Sequence, residues 1–432
     1  MSQHLADDAL REILKSQYDG EPLTITQAPP GAGKTGAIVD VAAQGALVLH
    51  QRNLIATPTY EQLRTIVARL ATKYPRAPLT AWVPKDRVSD LGRELRGATR
   101  VVGDIRSVDP TERGIVIAVA AKWRWASTDI EPFDVLFVDE AFQVSAADYA
   151  QMAALARRHL LIGDPGQIDP IVTCDVDRWG DAADGPHLSA PEALLNAYNP
   201  RVISYPVSRR LPQDTVSMIG PLFYPGLAFV GLDSFPERAL LGATINPILQ
   251  RIVAGASIVG SELPAGSAGE RDGGMVAHLI SLARQMIEGN MQVRLNGETR
   301  ALTPSDIGIV APHVSQVAML QQASPWPDVL IETANRFQGI ERPIMLVWHP
   351  LSGRTNPQDF HLDVGRFCVM TSRHQVACII AARGGIEEQL HANPPSGGRS
   401  LVGRPDRVFQ GWHAQRALIQ RLRTDHRIFD AA

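Results

Sequence analysis

Ala28-Pro29-Pro30-Gly31-Ala32-Gly33-Lys34-Thr35, preceded by the apolar run Leu23 to Thr26, reads as a strand, a glycine-bearing turn and the start of a helix. Gly31 and Gly33, with Pro30 and Ala32 beside them, permit a turn tight enough to aim successive backbone N–H groups at phosphate oxygens. The helix that follows adds its positive N-terminal end. Lys34 supplies a point charge for the β- and γ-phosphates, and Thr35 a hydroxyl for Mg2+. The common form of this pattern begins with Gly where this chain has Ala28; Pro29 and Pro30 stiffen the same turn. Further on, Asp139-Glu140-Ala141-Phe142-Gln143 closes a second apolar run, Asp134 to Val138. A carboxylate at the end of a buried strand can hold a metal's water shell, and its neighbour can polarise an attacking water. In this order the two segments point to a hydrolase of ATP or GTP, with Asp139 and Thr35 at the metal and Glu140 as the base.

At 432 residues the chain is too long for one ordinary core, so two domains are expected. A formal charge of −3 excludes a generally basic binder, and any grip on nucleic acid must come from a local basic cluster. Cys174, Cys368 and Cys378 lack metal-like spacing and read as free thiols of a reducing compartment. No pair of histidines has a zinc-ligand spacing. With no apolar leader and no run of ~18 apolar residues, a soluble cytoplasmic protein without membrane contact is expected.

Short apolar runs alternate with helix-period segments, the pattern of parallel sheets with crossover helices. After the first run come Asn53 to Ala56, Gly114 to Val119, Asp134 to Val138 and His159 to Ile162. The second half carries Ile307 to Val310, Val329 to Thr333, Ile344 to Trp348 and Val376 to Ala381. The division is expected at 1–203 and 204–432. Residues 72–113 read as a small insertion and 231–273 as an irregular segment of helix and loops. Asn393 to Gly398 reads as a linker before a helix over 410–423. Lys122, Trp123, Arg124 and Trp125 form the one interleaved basic–aromatic patch in the sequence, a candidate for stacking on single strands as much as for core packing.

These motifs resemble those of superfamily 1 helicases, in branch B, which includes the nonsense-mediated-decay RNA helicase and its bacterial relatives. Asp139 to Gln143 resembles that branch's Asp-Glu-Ala-x-Gln box. Gly163-Asp164-Pro165-Gly166-Gln167-Ile168-Asp169-Pro170 resembles its third motif, in which the Gln, here Gln167, senses the γ-phosphate. Thr57 and Pro58 stand where the family touches the nucleic-acid backbone. Ser208-Arg209-Arg210-Leu211-Pro212, with Phe223-Tyr224-Pro225-Gly226, resembles the fourth motif; Arg209 aligns best with its arginine and Arg210 is the substitute. Asp306 to His313 resembles a strand ending in a Pro-aromatic turn. Glu332 to Glu341 resembles the fifth motif, with Gln338, Gly339 and Glu341 toward nucleotide and Thr333 toward the strand. Gly365 to Arg373 resembles the sixth, with Arg373 in the arginine-finger position.

The resemblance implies an α/β fold of two tandem RecA-like P-loop NTPase domains with parallel sheets, holding ATP and Mg2+ between them. It implies an ATP-dependent helicase or translocase moving 5′ to 3′ on single-stranded DNA or RNA. The alternative is a nucleic-acid-stimulated ATPase that clamps without unwinding. A partner protein supplying strand separation or targeting is compatible with either. A phosphate-loop kinase or GTPase built on the first half alone would leave the second-half arginines without a role. His374 and Gln375 follow Arg373 where the family usually has Ala and Arg. The family carries an adenine-reading Gln on a helix before the phosphate loop; here Gln3 is too distant and Gln17 poorly placed for that role, so ATP preference rests on the resemblance.

Overall fold

The computed structural model describes residues 2–95, 97, 99–109, 111–126, 130–171, 175–179, 182–232, 236–395 and 406–431. The chain forms two compact units. The first holds the described residues up to Pro165 together with 169–207. The second holds Gly166–Ile168 and the described residues from Ser208 onward.

The first unit is built on eight strands: β1 (Leu23–Gln27), β2 (Arg52–Thr57), β3 (Leu79–Trp82), β4 (Arg100–Val102), β5 (Gly114–Val119), β6 (Phe133–Val138), β7 (Ala156–Gly163) and β8 (Arg201–Ser204). They lie in the order β4-β3-β5-β2-β6-β7-β1-β8, every neighbouring pair parallel. All six residues of β2 and of β5 are buried, as a parallel sheet covered on both faces requires. One face packs on the helices Lys34–Leu47 and Tyr60–Lys73 through Ile38, Val41, Leu63 and Val67; the other, which carries Trp82 and Phe133, packs on Trp123 and Met152. Residues 72–113 are therefore only partly an insertion. Leu79–Trp82 is an interior strand of the main sheet, between β5 and β4, and Arg100–Val102 is its edge strand. What projects from it is the turn Lys85–Arg87 with the short helix Val88–Glu94 between them, and the loop after β4.

The second unit starts with β9 (Val207–Pro212) and β10 (Val230–Leu232), which pair as a ribbon, and β11 (Ala239–Leu241). It continues with β12 (Ile258–Leu263), β13 (Gln292–Leu295), β14 (Glu298–Ala301), β15 (Ile307–Ala311), β16 (Leu330–Thr333), β17 (Arg342–Trp348), β18 (His374–Arg383) and β19 (Ile428–Asp430). Its main sheet runs β16-β15-β17-β18-β12-β19, again parallel throughout. A small antiparallel sheet, β11-β13-β14, stands beside it. The segment 231–273 is thus less irregular than its composition suggests, since it supplies β12, an interior strand. The C-terminal helix spans Arg407–Thr424 and buries Leu418 and Leu422 against Phe367 and Val369. Ser396 to Gly398 of the expected linker, and Cys174, lie outside the described residues; Cys368 and Cys378 are buried free thiols. Among the described residues no helix is long and apolar enough to cross a membrane.

Three histidines in the second unit are buried and kept neutral by desolvation: His349 and His374 are pushed down to about 3, and His361 to about 4. In the unfolded chain each takes up a proton near pH 6.5. The stability they protect is therefore complete above about pH 6.5 and is lost as pH falls, at ~1.4 kcal/mol per unit for each ring. Asp139, raised by burial, acts in the opposite sense and offsets roughly one ring. Urea unfolding at about pH 7, 6 and 5 should show stability falling with acidity, and His374→Gln should flatten the slope. Equal stability at both ends of that range contradicts the assignment.

Candidate functional site

In the first unit the phosphate loop leaves β1 and the acid pair leaves β6, with β7 between them. Two inter-strand spacings put the two loops ~10 Å apart at the C-terminal edge of the sheet, the usual ligand edge of such folds. The loop is held from both sides: Ala28 N–H donates to the Gly163 carbonyl at 2.8 Å and Tyr205 N–H to the Gln27 carbonyl at 2.9 Å. Gly31 and Gly33 take φ of 75° and 94°, which only glycine adopts without strain, and Gly33 caps the helix that begins at Lys34. Pro30 and Ala32 are buried and Thr35 is half-buried.

Lys34 reaches across to Glu140, Nζ to Oε1 at 3.6 Å, with both side chains largely buried. Glu140 itself is left-handed, φ 49° and ψ 45°, a conformation that costs a non-glycine residue roughly 1–2 kcal/mol. Such strain is characteristic of residues held for a function. The turn Ala141–Gln143 folds back over the end of β7. A Cβ at Gly163 would lie 2.9 Å from the backbone nitrogens of Ala141 and Phe142, so glycine there is a steric necessity.

Asp139 is 1% exposed. Its Oδ1 accepts from the Glu140 N–H at 3.0 Å, and its buried Oδ2 has no hydrogen-bond partner among the described residues. Burial, and then the neighbouring Glu140, push its carboxyl well above the ordinary range, with Lys34 opposing. A divalent cation would satisfy that oxygen and reverse the shift, so Asp139, with the Thr35 hydroxyl, fits a hard divalent cation. Among the described residues no group of three or more His, Cys, Asp or Glu is placed to hold a metal.

The second unit gathers its charges around Glu341. The Glu341 carboxylate accepts hydrogen bonds from Arg210 and from Gln375 Nε2, the latter at 2.8 Å. Burial works against its ionisation, but Arg210, Gln375 and Arg373 together hold its pKa below the ordinary value. Arg373 is fully buried and Gln338 half-buried, while Gly339 is exposed with φ 79°. Arg209, which motif alignment favours, is exposed; Arg210 is the arginine turned toward Glu341. His374 is no substitute cation. Its Nε2 lies 2.7 Å from Thr215 Oγ1 in a buried chain that continues through Ser257 to Asp214 and Arg427. Gln167 is buried within the second unit, its carbonyl accepting from Arg407 at 2.6 Å and packing against Gly365.

Thr57 is buried at the end of β2 with Pro58 beside it, and Thr333 ends β16. Phe360 stacks on His313 with ring centroids 4.9 Å apart and lies under Arg366 at 4.0 Å. No motif signals it, because the pairing joins residues far apart in the chain. The basic–aromatic patch divides. Trp123 is fully buried and donates to the Ile55 carbonyl at 3.0 Å, whereas Trp125 is 85% exposed. Lys122 covers the Trp82 ring at 4.4 Å and Arg124 pairs with Asp148. Gln17 is buried, with Ser16 as its side-chain partner, and the side chain of Gln3 lies outside the described residues.

No protein-family profile matches the chain. It is 24% identical over 259 residues to the DNA replication ATP-dependent helicase/nuclease dna2 of Schizosaccharomyces pombe, covering 57% of this chain and 18% of that protein. It is 23% identical over 358 residues to the DNA replication ATP-dependent helicase/nuclease JHS1 of Arabidopsis thaliana, covering 79% of this chain and 25% of that one. The chain thus spans about a quarter or less of the curated relatives it matches. Among solved structures, the arterivirus nonstructural protein 10 helicase with DNA aligns at TM-score 0.45 and 16% identity, covering 87% of this chain and 63% of that one. The DUF1998 helicase MrfA bound to DNA and AMPPNP aligns at TM-score 0.46 and 9% identity, covering 89% and 49%.

Proposed function

We propose that this chain, a superfamily 1 helicase by its motif order and its sequence relatives, is an ATPase driven by single-stranded nucleic acid. The observation that carries the reading is the constellation of Lys34, Asp139 and Glu140: a phosphate-loop lysine and a buried acid pair, one strand apart at the C-terminal edge of a parallel sheet. Backbone N–H groups from Pro30 to Thr35 (Pro30 itself excepted) cradle the phosphates, and Lys34 neutralises them. Glu140 orients the attacking water and accepts its proton. Thr35 and Asp139 would hold Mg2+, which would supply charge neutralisation at the phosphates. Gln167 and Arg373, with Arg210 or Arg209, answer the charge that develops on the transferring phosphoryl group, and Gln338, Gly339 and Glu341 line the nucleotide side of the second unit. Thr57, Pro58 and Thr333 grip the strand.

Hydrolysis coupled to that grip yields translocation, 5′ to 3′ by the family resemblance. A separating wedge needs mass outside the two sheets. With β3 and β4 absorbed into the first sheet, residues 72–113 offer little of it, which favours strong ATPase with weak unwinding, or the clamp reading, unless a partner supplies the wedge.

The test is an ATPase assay with single-stranded DNA and single-stranded RNA in parallel. Stimulation by either is expected, and binding should weaken steeply with salt, each neutralised phosphate contributing about −0.7 to the slope of log K against log salt. A flat salt profile and no stimulation would falsify the reading. Tailed duplexes separate its branches. Efficient unwinding from a 3′ tail overturns the polarity, and efficient unwinding from a 5′ tail overturns the weak wedge.

A further inference from the structure

We infer that Arg238 is a positioning residue for the strand that carries Arg209 and Arg210, tying that strand to the tip of the β13–β14 hairpin; the inference rests on the ATPase reading above. Arg238 stands immediately before β11, and its guanidinium is engaged on two sides. Nη1 donates to the carbonyls of Arg209 and Arg210, both at 3.0 Å. Nε and Nη2 donate to Asn296 Oδ1 at 3.3 and 3.0 Å. A guanidinium is a rigid planar fork, so gripping two successive carbonyls and an amide oxygen fixes the distance between them. A lysine ammonium at the end of a flexible stem cannot span both sides.

The hairpin end of this clamp is independently determined. Leu295 pairs with Glu298, leaving Asn296-Gly297 as a two-residue turn with φ of 52° and 85°. Both values are positive, the geometry for which Asn-Gly is the preferred sequence. Gly297 N–H also donates to the Glu237 carbonyl at 3.3 Å, so the tip is pinned to 237–238 by main chain as well as side chain. Beyond the tip, all four residues of β14 are exposed.

At the other end, Arg210 sends its side chain to Glu341. A continuous path therefore runs from hairpin tip through Arg238 to the β9 backbone, and from Arg210 to Glu341. Most of the N–H donors of Arg238 are spent on these contacts, so it acts on the reaction through Arg210 and not on phosphate directly. Small displacements of a group that must meet a transferring phosphoryl are costly, up to ~10²-fold for 1 Å.

The experiment measures kcat and KM for ATP at saturating single strand, with the melting temperature, for Arg238→Ala, Arg238→Lys and Asn296→Gly. The last removes Oδ1 yet keeps a residue at ease in the left-handed turn. Arg238→Ala should lower kcat on the order of tenfold while KM moves by less than about twofold. Asn296→Gly should act in the same sense and more weakly, and Arg238→Lys should fail to rescue. A merely structural role would lower the melting temperature and leave kcat per folded molecule unchanged. Should Arg238→Ala not fold, Asn296→Gly decides. An active wild type with unaltered kcat in the variants overturns this inference alone; an inactive wild type overturns the ATPase reading and this one with it.

Discussion

Replacing Glu140 by Gln should leave nucleotide binding intact and remove turnover, because an amide can accept a hydrogen bond from water but cannot take up its proton. General bases contribute typically 10²–10⁴-fold, so residual hydrolysis should fall to about that fraction of the wild-type rate. The left-handed backbone of Glu140 and its approach to Lys34 give the substitution a defined place to act. Gln is close to isosteric and keeps the backbone, so loss of rate cannot be assigned to a collapsed turn. Lys34→Ala should abolish hydrolysis by a different route, weakening the hold on the phosphates themselves. The pair is measured by ATPase rate alongside binding of a fluorescent ATP analogue. Normal turnover in the Glu140→Gln protein would remove that residue from the chemistry.

Arg373→Ala is expected to cost more rate than binding, by the roughly 10³–10⁵-fold typical of an arginine finger. The same is expected of Arg210→Ala, with a smaller loss for Arg209→Ala, because Arg210 faces Glu341 while Arg209 is exposed. Removing Arg210 also strips a partner from a half-buried carboxylate, which can destabilise the fold. Melting temperatures and the Arg210→Lys variant, which keeps the charge, distinguish that effect from lost catalysis. If Arg373→Ala and Arg210→Ala both hydrolyse ATP at the wild-type rate, the second unit is not part of the hydrolytic machinery. A phosphate-loop enzyme resting on the first unit alone then becomes the better reading.

Much of the fold was legible because the central strands of parallel sheets are buried on both faces and so read as unbroken apolar runs. Gly114–Val119 and the stretch 135–138 of β6 are of this kind. The strand Leu79–Trp82 and the edge strand Arg100–Val102 were not legible, being short and mixed in polarity, the first also flanked by Pro75, Pro78 and Pro84. Ile258–Leu263 was missed for a further reason. Gly260, Ser261 and Glu262 interrupt its apolar run, and its burial comes from the strands that flank it, with Gly260 set close against Ile428.

By itself the sequence determined the fold class, and it named the phosphate loop, the acid pair and the motif residues Arg209, Gln338, Glu341 and Arg373 as places to look. The first two are local: a turn that needs glycine, or a carboxylate at the end of an apolar strand, is set by residues within a few positions of one another, whereas Arg210, Glu341 and Gln375 meet only in the fold. Tertiary structure decided which member of each neighbouring pair faces inward. Arg209 and Arg210 lie consecutively in β9, and successive residues of a strand point to opposite faces, so the motif alone cannot choose between them. Trp123 and Trp125 likewise share one short segment, yet one is sealed beneath β2 and the other stands in solvent. The clamp of Arg238 on Arg209, Arg210 and Asn296 joins three separate stretches of chain, and only the folded second unit brings them within hydrogen-bonding distance.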